Sequence, residues 1–136
     1  MKFPKTPKVK KPKKKTRTTR QKLIDECDEL IRQYLRKHRT RVCCTCGKVE
    51  TENERLQVGH WIKRGKLWVR WDLRNCNPQC ASCNLRHNHY THWYDEYMLR
   101  TYGEAQLLEL CQVARSNEKI SVPYLEMVRN SLKEIL

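Results

Sequence analysis

Cys43-x-x-Cys46 and Cys80-x-x-Cys83 form two knuckles separated by 33 residues, 47–79. A CxxC spacing lets two thiolates reach one ion, and two such pairs complete a closed tetrahedral site for zinc. Cys44 fits less well than Cys43, because Cys44-x-Cys46 falls one residue short of the knuckle. Redox chemistry is the weaker reading, since it needs only one pair and a βαβ setting. Four sulfurs leave no coordination position for water. The expected zinc therefore staples the fold and takes no part in catalysis.

The segment between the knuckles is rich in groups suited to phosphodiester chemistry. It holds Gly59-His60-Trp61, the cations Lys63, Arg64 and Lys66, then Arg70, Arg74, Asn75 and Asn77. Asn84 follows the last knuckle cysteine directly, with His87, His89 and His92 beyond it. Lys63, Arg64 and Lys66 follow His60 so closely that phosphate contact is favoured over a merely solvated loop, and Arg70, Arg74 and Arg86 could extend the track. Trp61, Trp68, Trp71 and Trp93 are mostly expected in the core, with Trp61 weighed as a stacking surface for an unpaired base.

These groups need elements to hold them. From Thr19, the residues Leu23, Ile24, Cys27, Leu30, Ile31, Tyr34 and Leu35 recur as one apolar helical stripe, expected to pack on the body. Residues 41–80 break into short apolar stretches punctuated by Gly47, Gly59 and Gly65, which predicts short strands and loops. Residues 81–102 predict a helix stopped by Gly103, and another starts near Glu104. Ser121 and Pro123 read as the cap and first turn of a last helix that buries Tyr124, Leu125, Val128, Leu132 and Ile135.

A chain of 136 residues allows one domain with a modest core, for which a metal staple is an asset. The net charge is +14, but residues 1–20 hold ten Lys/Arg and no acid, which leaves about +4 for the other 116 residues. Residues 1–19 therefore predict a disordered basic tail that grips a polyanion without sequence preference, and 20–136 the folded domain. No secretory signal and no membrane-spanning segment is apparent, so an intracellular setting with reduced thiols is expected and no membrane partner. That setting favours zinc over disulfides.

The order of these pieces resembles endonuclease VII, a phage Holliday-junction resolvase of the His-Me finger group. It resembles more extensively the NinG/Rap recombination nuclease family of lambdoid phages, over roughly residues 22–136. The carriers are the leading helix, CTCGK at 44–48, GHWIKRG at 59–65, RWDLRN at 70–75, QCASCN at 79–84 and YG at 102–103. The resemblance implies a small α+β fold, a ββα-metal core stapled by Cys43, Cys46, Cys80 and Cys83 and flanked by an N-terminal helix and C-terminal helices. It implies His60 as the general base that deprotonates a water, Asn84 as a ligand of a catalytic Mg²⁺ (Mn²⁺ as an alternative), and Asn75 as the brace of the loop carrying the base. Three departures from the expected pattern stand out, the first being Asn77 where a His is usual. Gly59 occupies the place of a metal-binding Asp and His92 that of an acid, which makes His92 the first substitute ligand, ahead of His89 and Asp72.

No base-reading element is evident, so the expected activity is structure-selective cleavage of branched DNA such as a Holliday junction or D-loop. Paired incisions imply a homodimer, through either the 20–38 helix or the nearly charge-balanced segment 104–136. A non-catalytic zinc-ribbon DNA-binding protein and a less selective nicking endonuclease of the HNH type are the competing readings.

Overall fold

A computed structural model describes Lys10 and residues 12–136. Most of the basic tail thus lies outside the described residues; 12–18 are exposed and without regular structure. Five helices and a two-stranded sheet follow, α1 (Thr19–His38), β1 (Gln57–His60), β2 (Cys76–Gln79), α2 (Ala81–Arg86), α3 (His92–Tyr102), α4 (Glu104–Ala114) and α5 (Val122–Ile135). The expected α+β class holds.

Helix α1 begins where the Thr18 hydroxyl accepts the Gln21 N–H, a cap for one of the four unpaired donors of a helix start. Its stripe of Leu23, Ile24, Cys27, Leu30, Ile31 and Leu35 is buried, and α5 lies along it. Ser121 caps α5 as expected, and Leu125 and Leu132 close this core with Trp71, Cys76 and Ile120. The two ends of the domain therefore build one core together. A second cluster joins α3 to α4 through Tyr94, Met98, Leu110 and Ala114, with Val69 from the central loop.

Two expectations need correction. Leu67–Val69 form a 3-10 turn and no strand, because Val69 must bury itself in the α3–α4 cluster while the chain reverses toward Asn75. The helix expected over 81–102 is two helices with a turn at 87–91. The break puts His87 under the sheet while Tyr94 and Met98 enter the second cluster.

Strands β1 and β2 are antiparallel and pair His60 with Cys76, Gly59 with Asn77 and Gln57 with Gln79. Helix α2 follows β2 directly and touches β1. The chain thus runs strand, strand, helix, with His60 at the end of the first strand and Asn84 in the helix. Glycine at 59 is a packing requirement: a Cβ there would lie 2.7 Å from Cβ of Gln79 and closer still to its Oε1. That leaves no room for the aspartate that the endonuclease VII pattern has at this place.

Candidate active site and metal centre

The first knuckle is closed by the single antiparallel bridge Val42–Val49 and turns at Gly47, whose φ of 77° suits glycine. Cys44 N–H donates to the Pro78 carbonyl at 2.8 Å, tying this knuckle to β2. Cys80 is the N-cap of α2 and brings Cys83 within one turn. The sulfurs of Cys43, Cys46, Cys80 and Cys83 all lie within 4.8 Å of one another. A tetrahedral zinc with arms of about 2.3 Å has sulfur–sulfur edges of about 3.8 Å, and Cys46 Sγ and Cys80 Sγ are 3.8 Å apart. The four residues fit a structural zinc ion. Burial would raise the Cys43 thiol, yet hydrogen bonding from the backbone of Cys46, Cys80 and Thr45 brings it down to about 7, favouring the thiolate a metal needs. Cys44, the rejected alternative, is pushed up to about 12 by burial and stands outside the cluster.

His60 lies on the wall of a cleft of about 710 Å³ that Asn84, His87, Lys63 and Arg64 also line. Its Nε2 is 3.0 Å from the Arg70 carbonyl oxygen. A carbonyl can only accept, so Nε2 carries the proton and Nδ1 is the lone-pair nitrogen. Burial is the main cause that lowers the imidazole to about 4, partly offset by that carbonyl and by Asp28. His60 is therefore neutral at neutral pH.

The loop after His60 is held at several points. Asn75, fully buried, accepts the Ile62 N–H at 2.7 Å and donates to the carbonyls of Ile62 and Val69 at 3.1 and 3.0 Å. The Asn75 carbonyl accepts the Trp61 N–H at 3.0 Å, and His87 Nε2 donates to the Trp61 carbonyl at 2.8 Å. Asn77 is equally buried, where its side chain donates to Tyr94 and the Arg74 carbonyl and accepts from Tyr97 and Tyr102. Tyr94 in turn donates to the Gly59 carbonyl at 2.8 Å. The strand end and loop flanking His60 are thereby fixed from two sides.

Asp28 of α1, which composition and motif spacing do not single out, also belongs to the site. Its carboxylate accepts from Arg70 twice, at 2.9 and 2.6 Å, from Arg64 at 2.7 Å and from Trp71 Nε1 at 2.9 Å. Burial would raise its pKa, but these donors outweigh that and hold it below the ordinary carboxylate range. Asp28 thus fixes Arg70, whose carbonyl fixes His60. The signal was available: Ile24, Asp28, Ile31 and Leu35 share one helical face, and an acid in a buried stripe needs a partner.

Asn84 donates through Nδ2 to Gln57 Oε1 at 2.8 Å, which leaves its Oδ1 as a free oxygen donor in the cleft. The other expected residues divide. Lys63 and Arg64 line the cleft, whereas Lys66 is exposed beyond it. Arg70 is committed to Asp28, and Arg74 to Asp72 and Glu109, so both are structural here. Arg86 faces a separate groove with Tyr90 and Trp93. His92 begins α3 outside the cleft and pairs with Glu96 at 3.3 Å, and Asp72 is taken by Arg74, so neither stands beside Asn84. Trp61, Trp68 and Trp71 each donate through Nε1 to a carboxylate or carbonyl, while Trp93 is half-exposed.

Fold and site define a small α+β protein with a four-cysteine cluster beside a basic cleft. The chain belongs to the NinG family, described as the bacteriophage lambda NinG protein, whose model matches residues 4–136. Neither a curated protein nor a solved structure matches it significantly. Among the described residues, no helix is long and apolar enough to cross a membrane.

Proposed function

We propose that this protein is a structure-selective DNA endonuclease of the His-Me finger type, with His60 as general base. The observation that carries the reading is the state of His60: its Nε2 is spent on the Arg70 carbonyl, so a neutral Nδ1 is left to accept a proton. The strand–strand–helix order with Asn84 in the helix supports it. A scissile phosphate entering the cleft would add negative charge beside His60 and raise its basicity from about 4 toward the working range. His60 then takes the proton of a water as its oxygen attacks phosphorus, and the 3′-oxygen leaves.

Asn84 Oδ1 is the protein's oxygen for a divalent cation, and Asp28, the only acid lining the cleft among the described residues, has both its oxygens engaged. The cleft thus offers one neutral oxygen, and Mg²⁺ held there would take its remaining ligands from phosphate oxygens and water. When bound, it would neutralise charge on the phosphate and the leaving oxygen. Lys63 and Arg64 hold neighbouring phosphates, and Asn75 keeps the base loop in register. The substrate is branched DNA, and two incisions across a junction call for two sites and so for a homodimer. The apolar stripes of α1 and α5 are spent on each other, which leaves α4 of the 104–136 segment, with Leu108 exposed, as the dimer surface.

Scarcity of free acids in the cleft favours a second reading, a non-catalytic zinc-knuckle DNA-binding protein. The deciding experiment is cleavage of a labelled four-way junction beside a matched duplex, with Mg²⁺ or EDTA, for wild type and His60→Ala. Mg²⁺-dependent junction cutting that disappears in the variant is expected. Tight binding with no cutting in any divalent metal establishes the second reading, and equal cutting of both substrates a general nicking nuclease.

A further inference from the structure

Helix α1 forms part of the cleft wall, and its exposed face is basic there. Besides Lys63 and Arg64, the cleft is lined by Arg32 and Arg36 of α1 and by Arg55 ahead of β1. Arg64 is fixed at one end of this wall by Asp28. From Asp28 the cations continue at positions 32 and 36, each one helical turn further along. Arg36 has no acidic partner among the described residues, and Arg32 pairs only with the exposed Glu29. Arg55 sits 3.4 Å from a Glu50 oxygen already used by Arg41, so it too is loosely held. These side chains are not neutralised by the fold.

We propose that Arg32, Arg36 and Arg55 form a phosphate track along α1 that carries a DNA backbone past His60, away from the Arg64 end of the cleft. The eight helical steps from Asp28 to Arg36 span about 12 Å. Measured along the duplex axis, where the phosphates of one strand recur about every 3.4 Å, that covers about three of them. The track lies on the helix that precedes the ββα unit, so α1 is both a packing partner of α5 and a substrate-binding element. Only the choice of DNA as the polyanion rests on the endonuclease reading.

The test is equilibrium binding of a labelled four-way junction and a matched duplex across a salt series, without divalent metal, in a His60→Ala background. Replacing Arg32, Arg36 and Arg55 together by Ala should weaken binding and lower the slope of log affinity against log salt by about 2–3, near 0.9 per lost phosphate contact. Replacing all three by Lys should restore the slope. Arg36→Glu alone, at an exposed and unpaired position, should lower affinity with the melting temperature unchanged. An unchanged slope in the Ala variant overturns the track while leaving the endonuclease reading intact, as does a loss that Lys fails to restore. Absence of any DNA binding by the His60→Ala protein overturns both.

Discussion

The imidazole of His60 has one nitrogen committed to the Arg70 carbonyl and is largely shielded from water, which costs the charged form its hydration. Its pKa falls from 6.5 to about 4. Between those values the unfolded chain binds a proton that the folded chain does not, so stability rises with pH through this window and levels off above it. His60→Gln keeps a donor for the carbonyl and removes the titration. The melting temperature of wild type should therefore fall more steeply than that of the variant as pH drops from about 6.5 toward about 4. Parallel curves would show that His60 does not carry the effect. Asn75 is the other residue whose environment defines it. Asn75→Ala removes three side-chain hydrogen bonds and strands their partners inside the protein. A loss of about 2–4 kcal/mol is expected from chemical denaturation, with junction cleavage falling even at temperatures where the variant is folded. Wild-type cleavage by the folded variant would reduce Asn75 to a packing role.

At the scale of elements, α1 packs on the sheet and α5 packs on α1, so the first and last helices of the domain share one core. Leu125 is fully buried where Cys27 and Trp71 also pack. Leu125→Ala should cost about 2–5 kcal/mol, the transfer term plus the cavity left behind, measured by denaturant unfolding. A cost below about 1 kcal/mol would place that site among surface positions. The α1–α5 contact also reaches the cleft, since Asp28 sits on the same helix one residue past Cys27. Loosening the helix pair should shift Arg70 and with it the carbonyl that orients His60.

For the whole molecule, the four-cysteine cluster ties the first knuckle to the junction of β2 and α2, the helix whose Asn84 lines the cleft. Metal binding free energy in such a site is folding free energy. Stripping zinc with a chelator at neutral pH should lower the melting temperature sharply and quench the near-ultraviolet tryptophan signal, and added Zn²⁺ should restore both. An unchanged melting curve in protein shown to be zinc-free by elemental analysis would sink the structural role.

Local chemistry was readable from the sequence. Knuckle spacing picks Cys43, Cys46, Cys80 and Cys83, the apolar periods place α1 and α5, and Ser121 and Gly103 mark helix ends, because each signal is contained within a few neighbouring residues. Fates that depend on partners distant in the chain were not readable. Arg70 and Arg74 look like phosphate contacts until Asp28, 42 residues earlier, and Glu109, 35 residues later, are seen to claim them. His92 looks like a ligand until the break after α2 carries it out of the cleft. The sequence by itself determined which four cysteines could hold a metal and where the first and last helices lie, since spacing and periodicity are properties of the local chain. Only the tertiary structure decided which charges remain free to meet a substrate, because neutralisation is settled by whatever the fold brings within hydrogen-bond reach.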